Sequence, residues 1–165
     1  MTDDFRFGWE LGGAGWATCR IAEGSAEHVD VVGHCTDALG DLLRGVVGLY
    51  GSDAVQRFSF DLEPVEARWV LRRHGSGVDI AIRHFPDLYA RRRAADEEGE
   101  LSWSSTQPRR VLGHAVLNAA QSVLRLHGEQ GYRKKWQGHL FPAAELAELR
   151  RLHLRDDRCG RPHNA

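Results

Sequence analysis

The apolar positions along the chain change period several times, and each change marks an element. Phe5 to Leu11 reads as a strand, "GGAG" as a glycine turn, and "WATCRIA" as a second strand. "EGS" at residues 23–25 turns the chain again, and "AEHVDVVGH" supplies a third strand. Thr36 or Asp37 then caps a helix with Leu39, Leu42, Leu43, Val46, Val47 and Tyr50 on one stripe. Three more strands follow: "VQRFSFDL", "VEARWVLRR" and "VDIAIRHF".

Residues 87–99, with a basic block before an acidic one and no apolar period, predict a solvated loop, followed by a short strand at "LSWS". Pro108 starts a helix whose stripe is Leu112, Ala115, Val116, Ala119, Val123 and Leu126, and Gly128 ends it. "GYRKKW" forms a short element. Pro142 opens a last helix carrying Leu146, Leu149 and Leu152. The expected fold is α+β, with one antiparallel sheet of about six strands and helices packed mainly on one face. Residues 1–154 form a single domain and residues 155–165 a flexible tail.

The alternation around "DLEPVEARWVLRR" fixes an expected register. If residues 62–65 make the connection, Phe58 faces Trp69 and Phe60 faces Ala67. A turn over residues 73–76 then sets Trp69 against Ile80 and Ala67 against Ile82. The opposite face carries the charges. It sets Asp61 against Glu66 and Glu66 against Arg83, with Arg68 within diagonal reach of Asp79 and Arg83. Such a face is expected to be open to water and partly self-neutralised, with His84 beside Val65 at the margin of the buried row.

Composition narrows the function classes. A chain of 165 residues buries about 70% of its unfolded surface, enough for stability without a metal or disulfide. With 22 basic and 23 acidic residues, the bulk attraction of a general nucleic-acid or membrane-surface binder is missing. Cys19, Cys35 and Cys159 make neither a disulfide framework nor a paired metal motif, which favours a reducing compartment. The acidic start lacks a secretion signal, and no apolar run approaches the roughly 20 residues of a membrane span. A cytoplasmic protein is expected. Lysine occurs only at Lys134 and Lys135, an arginine bias typical of high-G+C bacteria.

Candidate chemistry is sparse. The glycines of "GGAG" lack the spacing and lysine of a phosphate-binding loop. The Asp61 and Glu66 apposition could raise one carboxyl towards general-acid duty, but Arg68 and Arg83 lie near enough to quench it. His34, His84, His114 and His127 lie near ordered structure without HExxH or CxxC spacing, and Cys159 with His163 resembles only half a zinc site. Cys35 beside His34 is an adjacency, not a dyad, and the two side chains point to opposite faces if the strand continues there. "GYRKKW" could contact phosphates and stack on bases. It fits better as a helical face in which Tyr132 and Trp136 are core anchors and the cations point to water. No catalytic residue, cofactor or metal ligand is assigned.

The combination of "GAGWATCRI", "CTDALGDLL", "FSFDLEPVEARWVLRR" and "HGEQGYRKKW" is similar to small uncharacterised proteins of actinobacteria, over about residues 5–150. In layout the chain also resembles some immunity proteins of bacterial toxin systems, compact α+β binders with an acidic or mixed-charge surface. That resemblance implies a non-enzymatic, protein-binding role. The expected partner face is Asp61, Glu63, Glu66, Arg68, Arg72, Asp79 and Arg83. The alternative is a small enzyme or ligand-binding protein with a pocket between sheet and helices, involving His84, His114 or Trp103. A homodimer through an uncovered sheet face or edge is a third.

Overall fold

The computed structural model describes residues 4–87 and 94–158. Its strands are β1 (Phe5–Gly13), β2 (Trp16–Glu23), β3 (Ala26–Gly33), β4 (Val55–Asp61), β5 (Glu66–His74), β6 (Gly77–Phe85) and β7 (Glu100–Pro108). The helices are α1 (Ala38–Gly48), α2 (Arg109–Lys135) and α3 (Ala143–Asp156). None is long and apolar enough to cross a membrane.

The α+β class and antiparallel pairing agree with the sequence, but the expected single six-stranded sheet does not form. β1-β2-β3 make one sheet and β4-β5-β6-β7 another. Each is a hairpin meander with one apolar face, and the two apolar faces close on each other. Trp9 of β1 meets Phe60 of β4 edge-on at 5.4 Å, and Phe7 meets Trp69 of β5 at 6.1 Å. The helices therefore flank the sheets instead of covering one sheet face. α2 runs along edge strand β1 and α1 along edge strand β4, while α3 braces both helices. Leu42, Leu43 and Val46 from α1, Leu112, Val116 and Leu117 from α2, and Leu149 from α3 join the same core.

The β4–β5 register matches the sequence reading, with Phe58 opposite Trp69, Phe60 opposite Ala67 and Asp61 opposite Glu66. The β5–β6 register differs by two residues. His74 pairs with Gly77, so the turn contains only Gly75 and Ser76, and Gly75 takes φ 59°. A glycine at positive φ is what a two-residue hairpin turn favours over the four-residue turn expected. Trp69 consequently faces Ile82, Ala67 faces His84, and Leu71 faces Ile80. On the outer face, Glu66 lies opposite Phe85 and Arg68 opposite Arg83. Because the slip is even, no side chain changes face.

Helix α2 keeps its expected break at Gly128, where φ 66° and ψ 171° leave the helical region. Leu126 departs from the expected stripe and is 73% exposed, since it lies close to the break where the helix leaves the core. Beyond the break, Tyr132 and Trp136 are fully buried, while Arg133, Lys134 and Lys135 point to water as their spacing requires. The expected loop at 87–99 lies partly outside the described residues. Its last part, Asp96–Glu98, is a 3-10 turn held against β5 and leads into β7.

Candidate functional site

The outer face of β5 is not the solvated surface its composition suggests. Glu66, Arg68 and Asp61 are all less than a tenth exposed. Glu66 and Arg68 sit two residues apart on one strand and so share a face. Arg68 donates from Nε to Glu66 Oε2 at 2.9 Å and from Nη2 to Oε1 at 3.3 Å. Its remaining nitrogen, Nη1, donates to the Ala94 carbonyl at 2.7 Å and to Asp96 at 3.1 Å. The guanidinium also stacks over Phe85, 4.1 Å from the ring centre.

The acidic block of the expected loop thus supplies the lid over this charge. Arg57 of β4 pins the same carboxylate of Asp96 from the other side at 2.9 Å. Burial alone would push the Asp96 carboxyl up, but the hydrogen bonds from Arg57 and Arg68 hold it below its ordinary range. Ser59 Oγ donates to Glu66 Oε2 at 2.5 Å. Beside the lid opens a groove of about 690 Å³, lined by Thr36 and Asp41 at the start of α1, by Arg57, Ser59, Glu66, Arg68 and Arg72, and by residues 94–97.

The seven residues expected to form a partner face are therefore divided. Glu66 and Arg68 form the floor of the groove and Arg72 its rim. Asp61 is buried beneath the β4–β5 connection, where one of its oxygens accepts the Glu63 backbone N–H at 2.8 Å. Glu63 is exposed in that connection and accepts the Cys35 thiol at 2.7 Å. Arg83 donates to the Gly99 carbonyl at 2.9 Å, and Asp79 is paired with His74 and Thr106 at the far hairpin. Asp61 and Glu66 do face each other across the ladder, yet each is bound to its own partners.

A second cluster lies between the two sheets. His28 and Asp30, two apart on β3, point inward and meet His84 of β6. His28 Nε2 is 2.9 Å from Asp30 Oδ2, and His84 Nε2 is 3.0 Å from Asp30 Oδ1. The two imidazoles lie 5.3 Å apart by ring centre. Ser102 Oγ sits 3.0 Å from His84 Nδ1. Burial would raise the Asp30 carboxyl, but the two histidines hold it below its ordinary value, and the hydrogen bond to Asp30 pushes His84 up. His84 was legible as a residue at the edge of the buried row, but its neighbour is Ala67 and not Val65. His28 and Asp30 escaped notice, because alternation with Val29 and Val31 places them on what reads as the solvent side of the strand, whereas in the fold Val29 and Val31 are the exposed residues.

Among the described residues, one other group offers metal-binding atoms, Cys35 with Asp61 and Glu63. Its thiol is pushed up to about 11 by the hydrogen bond to Glu63, with a smaller contribution from burial. Such a thiol is a weak nucleophile and a poor metal ligand at neutral pH. Cys35 follows the end of β3, so its predicted strand relationship with His34 does not arise. His114 pairs with Asn118 on α2, beside β1, and Trp103 is buried in β7. Neither contributes to the groove. Cys159 and His163 lie outside the described residues. Comparison with protein-family models, with curated proteins and with solved structures returns no match, so the site is read from its geometry alone.

Proposed function

We propose that the protein is a non-enzymatic binding module of the cytoplasm, immunity-like in layout, whose protein partner seats in the groove over β4 and β5. One observation carries this reading: a groove of about 690 Å³ whose charged floor is already satisfied internally while its rim presents both signs of charge. Arg72 stands on one side and Asp41 and Glu97 on others. A rim of this kind steers encounter and fixes orientation. The floor supports binding better than turnover. Glu66 already accepts from Arg68 and Ser59, and the Ser59 hydroxyl is committed to that carboxylate. Among the described residues, no histidine lines the groove.

Charge reversal at Glu66 or Arg68 would break the floor itself, so the informative variants are on the rim. Arg72→Glu combined with Glu97→Lys reverses two rim charges and spares the Glu66–Arg68 pair. A protein retained by the wild-type chain and lost from a double variant of equal melting temperature supports the groove. Equal retention by both, or no partner for either, contradicts it.

A homodimer has its own specific support. Val29 and Val31 on edge strand β3 and Trp16 on β2 are exposed, at 39%, 52% and 37%. Edge strands with apolar exposure pair readily with a second copy. Light scattering over a range of concentrations measures this directly, and Val31→Lys should abolish any dimer formed this way.

A further inference from the structure

We infer that His28, Asp30 and His84 form a binding site for one divalent transition-metal ion, zinc by preference, at the seam between the two sheets. Three donors converge from separate parts of the chain. His28 and Asp30 come from β3 of one sheet and His84 from β6 of the other, and their ligating atoms all lie within 4.8 Å of one another. Around a metal with bonds of about 2.0–2.1 Å, neighbouring donor atoms lie roughly 3.0–3.4 Å apart, depending on geometry. The nitrogen-to-oxygen separations, 2.9 Å to Asp30 Oδ2 and 3.0 Å to Asp30 Oδ1, lie just below and at the lower edge of that range.

The donor chemistry selects the metal. Two imidazole nitrogens and one carboxylate suit zinc and its first-row neighbours, whereas calcium and magnesium prefer all-oxygen sets. Ser102 Oγ, against His84 Nδ1, is placed to hold that ring with Nε2 directed at the site. Asp30 is only 5% exposed, but the His28 and His84 side chains retain 15% and 26% exposure. The two imidazoles therefore connect the site to solvent. Cys19 faces Asp30 across the β2–β3 ladder, but its Sγ is not among the donor atoms that lie within 4.8 Å of one another. To bind the ion, each ring presents its Nε2 lone pair, and a neutral imidazole then carries its proton on Nδ1, which in His84 faces Ser102 Oγ.

The test uses the full chain, stripped of metal with a chelator and then titrated with zinc by calorimetry in buffers of different ionisation enthalpy. One equivalent should bind. His28→Gln and His84→Gln, which keep a polar contact to Asp30, should each weaken binding by about 100-fold or more, and Ser102→Ala by about 10-fold. Cys35→Ser should leave it unchanged. Cobalt(II) in the wild-type chain gives a reading that does not depend on variants folding: a ligand-field spectrum without a sulfur charge-transfer band. No zinc binding at stoichiometric concentration, a thiolate band, or affinity unchanged in the two histidine variants would overturn the site.

Discussion

Arg68 sets the Nε–Nη2 edge of its guanidinium against both oxygens of Glu66, two residues back on its own strand, with both side chains buried. The pair lies under the Asp96 lid, so its stability effect is that of an interior ion pair. Removing Arg68 leaves the Glu66 carboxylate buried with only the Ser59 hydroxyl, at a cost of about 3–5 kcal/mol. Arg68→Ala should show that loss in denaturant unfolding, and Glu66→Ala a smaller one, because Arg68 keeps Asp96 and the Ala94 carbonyl. Glu66→Leu with Arg68→Met should lose less than Arg68→Ala, because both charges leave together. A double variant as unstable as the sum of the singles would show that the pair is not coupled.

Helix α1 approaches β4 where Gly45 meets the ring of Phe58, and a methyl group at position 45 would overlap that ring. Gly45→Ala should therefore destabilise the fold, because overpacking costs about 1–3 kcal/mol. That outweighs the gain of about 1 kcal/mol from replacing glycine in a helix. Gly131→Ala is the control. Its nearest neighbour is the His127 Cβ at 3.5 Å, so it should be neutral or slightly stabilising. Thermal unfolding of the two variants distinguishes them.

Asp157, at the end of α3, collects Tyr50, Arg109 and His153 around one carboxylate. Burial works to raise it, but the bonds from His153, Tyr50 and Arg109 hold it below its ordinary value. A carboxyl depressed in the folded state stabilises the fold above its unfolded pKa of about 3.9, and that contribution is lost as pH falls towards the folded value. Asp157→Asn should thus be less stable than wild type at neutral pH. The gap should narrow on acidification below about pH 4. A gap that stays constant down to acid pH would contradict the assignment.

Most strands and helices were legible from alternation and from the single stripe of each helix, but β7 spans Glu100–Pro108, well beyond the short strand expected at "LSWS". The pairing of the sheets was not. Alternation identifies a buried face but not what covers it, and Phe7, Trp9, Phe60 and Trp69 would read alike under a helix or under another sheet. The same limit governs the site. Glu66, Arg68 and Arg72 stand out in the sequence, but "ARRRAADEEGE" reads as solvated charge, and only the fold shows Asp96 turned back onto Arg68. Gly75 shortens the β5–β6 turn, which moves Arg68 from a diagonal neighbour of Arg83 to a position directly opposite it.

The groove is tested most directly by placing a photo-crosslinking residue at Arg72 on its rim and, separately, at Arg20, which is exposed on the outer face of the other sheet. Irradiation in cells should give a discrete adduct from position 72 and none from position 20. The adduct should disappear when Glu97→Lys is added. Adducts of equal yield from both positions, or none from position 72, would contradict a partner-binding groove.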